Sequence, residues 1–252
     1  MYKRSPSYKL SSCFACLGSN IIEHYNIDGY QLMKCVSCGF EFVETIPSES
    51  DLFKYYQECY LDNGKFKDKV RNRRWLKYKI FSYYIKHLCK NSKTIKLLDI
   101  GCNQGDIQYA VNREPKFDAE GIDFSGQAVS FAKTRGLKVS QGRLEDQKYP
   151  KETFDFITAY HVIEHTYNPE RTMVEIKRIL KKGGYFFAVM PCLSHYKAKI
   201  NGKNWKYYTP PEHLWYFTID SLREFGNRLG FKIKFCHCIY HRAHVFWLIQ
   251  KT

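Results

Sequence analysis

Residues 97–105 read Leu-Leu-Asp-Ile-Gly-Cys-Asn-Gln-Gly, an apolar run entering a glycine-bracketed turn, and Ala119-Glu-Gly-Ile-Asp123 closes a second run on an acid. The combination suits a nucleoside. Such a turn lets backbone approach a ligand, and a carboxylate about 20 residues further on can accept hydrogen bonds from both ribose hydroxyls. A dinucleotide does not fit, because the Gly-x-Gly-x-x-Gly spacing is missing and Asp99 at the turn's entrance would repel a pyrophosphate. The same charge favours a nucleoside carrying an ammonium and a sulfonium, the chemistry of S-adenosylmethionine. Between Gly101 and Gly105 stands Asn103, the non-glycine type that best tolerates a left-handed backbone.

A second set is Tyr160-His161-Val-Ile-Glu164-His165. An imidazole beside a carboxylate can take a proton from a hydroxyl. His165 is the expected general base, with Glu164 or a neighbour orienting its ring. His161 is the alternative, and His213 of Pro210-Pro-Glu-His213 could reach the same acceptor. The His-x-x-Glu-His spacing also matches inverted zinc peptidases. Those enzymes need both His on a regular helix and a further carboxylate ligand, whereas this segment follows a strand.

The third set is Cys13-Phe-Ala-Cys16 and Cys35-Val-Ser-Cys38-Gly39, separated by eighteen residues. Two such pairs read as a zinc ribbon, four thiolates closing a tetrahedral Zn2+ site that is structural rather than catalytic. Cys236-His-Cys238 with His241 and His244 has no second paired motif, and its side chains alternate between strand faces, so no metal site is read there.

From residue 95 short apolar runs alternate with helical spacing, the pattern of a parallel sheet wrapped on both faces. Strands are expected near 96–100, 119–123, 137–140, 154–159 and 184–190, with a helix over Pro169–Lys182 stopped by Gly183-Gly184, and two closing strands between Phe231 and Lys251. Upstream, Leu52, Tyr55, Tyr56 and Tyr60 repeat at helical spacing after a Pro-Ser start. A second helix places Trp75, Tyr78, Phe81, Ile85 and Leu88 on one face, expected to be core contacts rather than a base-stacking platform. Three regions follow: 1–45 as the ribbon, 46–91 as a helical cap with a basic face, and 92–252 as the cofactor-binding domain.

The chain has 252 residues and a formal net charge of +15. Residues 65–96 concentrate this charge: Lys65, Lys67, Lys69, Arg71, Arg73, Arg74, Lys77, Lys79, Lys86, Lys90, Lys93 and Lys96 face Asp68 alone. The segment could attract nucleic acid, an anionic membrane or phosphate groups, or simply be a solvated helix face. No run is long and apolar enough for a transmembrane span. No signal-type apolar segment follows Met1-Tyr-Lys-Arg-Ser-Pro, and ten cysteines then argue for thiols and metal ligands in a cytoplasmic setting rather than a disulfide framework.

Asp99-x-Gly101-x-Asn103-x-Gly105 resembles the first motif of the class I S-adenosylmethionine-dependent methyltransferases, with Asn in place of the middle Gly. The resemblance implies an α/β, Rossmann-like doubly wound sheet. It also implies a cofactor site of Asp99, Gly101, Cys102, Asn103, Gly105, Asp123, Phe124, Glu145, Asp146 and Tyr160, with Asp146 accepting from the adenine amine. The His161–His165 segment resembles ubiquinone-biosynthesis methyltransferases. Residues 201–218 are expected to form an aromatic-rich loop between the fifth strand and the next helix, a place for substrate contacts. Its Gly202-Lys-Asn-Trp205 and Pro210-Pro-Glu-His-Leu214, with the ribbon and Tyr55-Tyr56, resemble zinc-ribbon methyltransferases associated with glycan synthesis. No Asn/Asp-Pro-Pro-Tyr/Phe segment follows the fourth strand, which disfavours nitrogen methylation by the same resemblance. The implied reaction is O-methylation of a sugar or glycan intermediate. Two alternatives stand beside it, an RNA methyltransferase holding nucleic acid with the ribbon and basic helix, and a non-catalytic binding module.

Overall fold

The structure, a computed structural model, describes residues 7–60, 72–239 and 241–252, with the side chains of 53, 56–60 and 72–76 outside that description. Lys65, Lys67, Lys69 and Arg71 of the basic run thus lie outside the described residues, as do the side chains of Arg73, Arg74, Trp75, Tyr56 and Tyr60. The chain divides into two compact units interleaved along the sequence. One comprises Met1–Glu58, His161–Met173 and Ala188–Ile249, the other Cys59–Tyr160, Val174–Phe187 and Gln250–Thr252.

The chain begins with β1 (Tyr8–Lys9), β2 (Ile21–Ile27), β3 (Tyr30–Cys35), β4 (Glu41–Val43), β5 (Thr45–Ile46) and α1 (Glu49–Tyr60). Asp28 and Gly29, both at positive φ (49° and 86°), close the β2–β3 hairpin in the conformation that matches strand twist. Next come α2 (Asn72–Leu88), β6 (Ile95–Ile100), α3 (Asp106–Val111), β7 (Phe117–Asp123), α4 (Gly126–Thr134), β8 (Lys138–Gln141) and β9 (Phe154–Tyr160). The remaining elements are α5 (Pro169–Ile179), β10 (Leu180–Pro191), α6 (Tyr196–Asn201), β11 (Trp215–Tyr216), α7 (Ile219–Arg228), β12 (Phe231–Cys238) and β13 (His244–Lys251). None of the described helices is long and apolar enough to cross a membrane.

The central sheet has seven strands in the order β12-β13-β10-β9-β6-β7-β8. Around β6 it is parallel, with β7 on one side and β9 on the other. Strands covered on both faces must be apolar almost throughout, and Leu97, Leu98, Asp99 and Ile100 are all buried. On α2 the expected inward face is present where it is described: Ile85 is buried, and the Phe81 ring lies 6.0 Å from Phe156 and 5.4 Å from Phe187.

Three expectations change. The helix expected to reach Lys182 ends at Ile179, and β10 begins at Leu180, which is fully buried. Gly183, at φ 75°, therefore sits inside the strand instead of stopping the helix. The aromatic stretch expected as a loop over 201–218 contains β11, which pairs antiparallel with β4 and extends the ribbon's sheet to the order β11-β4-β3-β2. That pairing has a core to hold it: the Phe14 ring stands 4.7 Å from Phe40, 5.2 Å from Trp215 and 5.1 Å from Phe225. Finally, Cys192 and Cys238 form a disulfide where thiols were expected. No spacing in the sequence announces that the residue after β10 meets the end of β12.

Candidate active site

In the unit built on β6, β7, β8 and β9, the turn after β6 takes a left-handed backbone at alternate residues: Gly101 (φ 66°), Asn103 (φ 49°) and Gly105 (φ 77°). Asn103 thus adopts the conformation for which its residue type was read. Asp123, at the end of β7, anchors this turn. Its Oδ2 accepts from the Asn103 backbone N–H at 2.7 Å and its Oδ1 from the Ser125 N–H at 2.8 Å. Each carboxylate oxygen retains a second lone pair, and the residue is half-exposed, so two more donors can be taken. Burial pushes the Asp123 carboxyl up, against the lowering effect of those two amides.

Asp99 lies opposite Gly121 on β7 and Thr158 on β9. It is buried, and Oδ1 accepts from Thr158 Oγ1 at 2.6 Å. Burial pushes its carboxyl up to about 7, against the Thr158 hydrogen bond and with repulsion from Asp123 and Asp106 adding to the rise. A raised folded-state value means that the native form holds a proton the unfolded chain has lost, so this group's contribution to stability falls as pH rises from about 4 to about 7. Asp99→Asn removes the titration. The variant's thermal midpoint relative to the native sequence is expected to rise between pH 5.5 and 8, and a pH-independent difference would contradict the assignment.

Thr158 and Gly121 flank Asp99 and were not singled out by motif reading. A Cβ on Gly121 would come within 2.0 Å of Gln108 Nε2 and 2.7 Å of Cys102 Sγ, so the strand beside the turn has no room for a side chain. The available signal was a lone Thr in the apolar run Phe154-Asp-Phe-Ile-Thr-Ala-Tyr160. Cys102 is buried, and burial pushes its thiol up. Phe124, next to Asp123 in the chain, is 41% exposed. Glu145 is half-exposed in a single 3-10 turn, while Asp146 is held by Arg143, whose Nε and Nη2 donate at 2.9 and 3.1 Å. Tyr160 ends β9, and Lys77 Nζ lies 5.0 Å from its ring centre.

His161, Glu164, His165 and His213 come together in the other unit. Glu164 is 1% exposed and its Oε1 pairs with His161 Nδ1 at 3.0 Å. Burial would raise the Glu164 carboxyl, but the His161 hydrogen bond and the His165 and His213 rings outweigh it and hold the group below its usual value. His161 has φ 54° and a side chain 40% exposed, so the imidazole is presented outward with a carboxylate behind it. His165 is oriented differently, Nδ1 donating to the Glu212 carbonyl at 2.7 Å. His213 Nδ1 donates to the Tyr207 carbonyl at 2.8 Å, and burial, with His165 adding, holds this ring's value low. His244, missed among the C-terminal His and Cys, shares a 2.8 Å hydrogen bond with the Tyr207 hydroxyl and lies ring to ring with His161 at 4.6 Å.

The four ribbon cysteines also converge, their sulfurs all within 4.8 Å of one another. Gly39, at φ 69°, turns the second pair.

The family described as Methyltransferase domain matches residues 72–234. The chain belongs to that family. With the seven-stranded sheet and the turn after β6, it is a class I S-adenosylmethionine-dependent methyltransferase by fold. A ubiquinone biosynthesis O-methyltransferase from Pelagibacter ubique is 30% identical over 148 residues, covering 53% of this chain and 60% of that protein. Ajmaline N-methyltransferase from Rauvolfia serpentina is 31% identical over 114 residues, covering 41% and 37%. The first-ranking curated relatives are matched over 31% to 60% of their length. A SAM-dependent methyltransferase structure from Thermotoga maritima superposes with a TM-score of 0.52 at 21% identity, over 80% of this chain and 99% of that one, a likeness of fold.

Proposed function

We propose that the chain methylates a hydroxyl group of a small-molecule acceptor, a sugar or sugar-containing intermediate, at the expense of S-adenosylmethionine, with His161 as general base. The observation that carries this reading is the His161–Glu164 pair in the segment that directly follows β9. A neutral amine can attack before it loses its proton, whereas a hydroxyl needs a base as the bond forms. An imidazole backed by a buried carboxylate is built for that task. Glu164 fixes the ring through Nδ1 and stabilises the imidazolium, leaving Nε2 to take the acceptor's proton. The base assignment thus moves from His165 to His161, because Glu164 orients the latter.

The residues around the turn after β6 fit the cofactor. Bound S-adenosylmethionine would supply an electrophilic methyl group on its sulfonium. Asp123 would accept the ribose hydroxyls on its remaining lone pairs, Phe124 would cover the adenine, and Asp99 would be drawn toward its ionised form by the cationic end. A transfer screen with methyl-labelled cofactor against nucleotide-sugar, glycan, phenolic-lipid and RNA pools tests the reading. Label in an alkali-stable ether of a sugar is expected. Label in the phenolic or RNA pool would replace the acceptor, and no label with no cofactor binding by calorimetry would leave a binding module.

We further propose that Cys13, Cys16, Cys35 and Cys38 hold one structural Zn2+. Zinc–sulfur bonds of about 2.3 Å in a tetrahedron put sulfurs about 3.8 Å apart. The Cys13–Cys38 and Cys16–Cys35 sulfurs are each 3.6 Å apart, so the cage is already the right size. Protein purified without chelator should lose this zinc on Cys35→Ser and become protease-sensitive in residues 1–45, with S-adenosylmethionine affinity unchanged. An identical metal content in the variant would refute the site.

A further inference from the structure

Glu164, His165 and His213 each place a ligand atom within 4.8 Å of the other two. They come from two stretches of chain tied by backbone, Leu214 N–H donating to the Glu164 carbonyl at 3.0 Å. Both imidazoles are oriented in the same way. His165 donates through Nδ1 to the Glu212 carbonyl and His213 through Nδ1 to the Tyr207 carbonyl. A carbonyl can only accept, so each proton is on Nδ1 and each lone pair on Nε2, the arrangement in which metal-binding histidines are held. The Glu164 carboxylate completes the set. Its Oε1 is engaged by His161, while Oε2 is buried with no hydrogen-bond partner, a costly state for a charged oxygen.

We infer that Glu164, His165 and His213 form a second metal centre, distinct in ligands and purpose from the four-cysteine site. Two imidazoles and one carboxylate select a divalent ion of the Zn2+ or Co2+ class over Mg2+ or Ca2+, which take all-oxygen surroundings. Three protein ligands leave coordination positions open. An edge of about 3.3 Å is expected between ligands at zinc–nitrogen distances of about 2.05 Å, so the three ligand atoms would draw closer together on binding. The inference stands on these residues alone, whether or not the chain transfers a methyl group.

The test is metal analysis of chelator-free protein from zinc-supplemented growth, followed by Co2+ reconstitution. Two ions per chain are expected, one in Cys35→Ser, one in His213→Ala and none in the double variant. In Co2+ protein, sulfur-to-cobalt charge-transfer absorption should vanish in Cys35→Ser while weaker visible bands remain, and these should go when His213→Ala is added. Glu164→Gln, nearly isosteric, replaces His213→Ala if circular dichroism shows that the latter is unfolded. One ion per chain in the native sequence and no Co2+ bands in Cys35→Ser would overturn the inference and leave a proton network. So would a second ion that survives both His213→Ala and Glu164→Gln.

Discussion

His161→Ala is expected to lower turnover by about a hundred- to ten-thousandfold, the usual contribution of a positioned general base, while S-adenosylmethionine affinity changes by no more than about twofold. The selectivity follows from where the residue acts. His161 bonds Glu164, not the turn after β6, so its loss leaves Asp123, Asn103 and Gly105 in place. Because its side chain is 40% exposed, imidazole added to the solution can enter the space left by His161→Ala and restore part of the rate. Rescue separates loss of a base from general damage to the fold, which a small molecule does not repair. Single-turnover rates with a saturating acceptor, with and without imidazole, give the answer. Near-native turnover in the variant would remove His161 from the reaction and return the role to His165 or His213.

Asp123→Ala should weaken S-adenosylmethionine binding by about 2 to 3 kcal/mol, some thirty- to hundredfold, as expected when two charge-assisted hydrogen bonds are lost in a partly buried site. Part of this loss is indirect. Asp123 holds the Asn103 N–H, and Asn103 keeps a left-handed backbone, so the turn loses an anchor as the ribose loses its acceptor. Asp123→Asn divides the two effects. It keeps an oxygen for one partner but turns an amide toward the other N–H donor, and should fall between the native sequence and Asp123→Ala. Calorimetric titration of all three proteins, each confirmed folded, is decisive. Equal affinities would exclude Asp123 from the cofactor site.

Local chemistry fixed much of this protein in its sequence. Apolar runs at parallel-sheet spacing, a glycine-rich turn and an acid at the next strand's end determined β6, β7 and the conformation of Asn103, because each depends on neighbours a few residues away. Two Cys-x-x-Cys pairs likewise announced their own convergence, since each pair is a single turn. The tertiary structure decided what depends on distant stretches. That β11 completes the ribbon's sheet rests on Trp215 and Phe225 meeting Phe14. That His165 turns its Nδ1 to the Glu212 carbonyl and lies beside His213 rests on the path of a chain segment some fifty residues away, whereas the His161–Glu164 pair is a contact between residues three apart. Periodicity shows which face of an element is apolar; it carries no record of which remote carbonyl or ring will occupy that face. The orientation of the His165 ring was therefore invisible in the sequence, and a hydrogen bond across the fold fixed it.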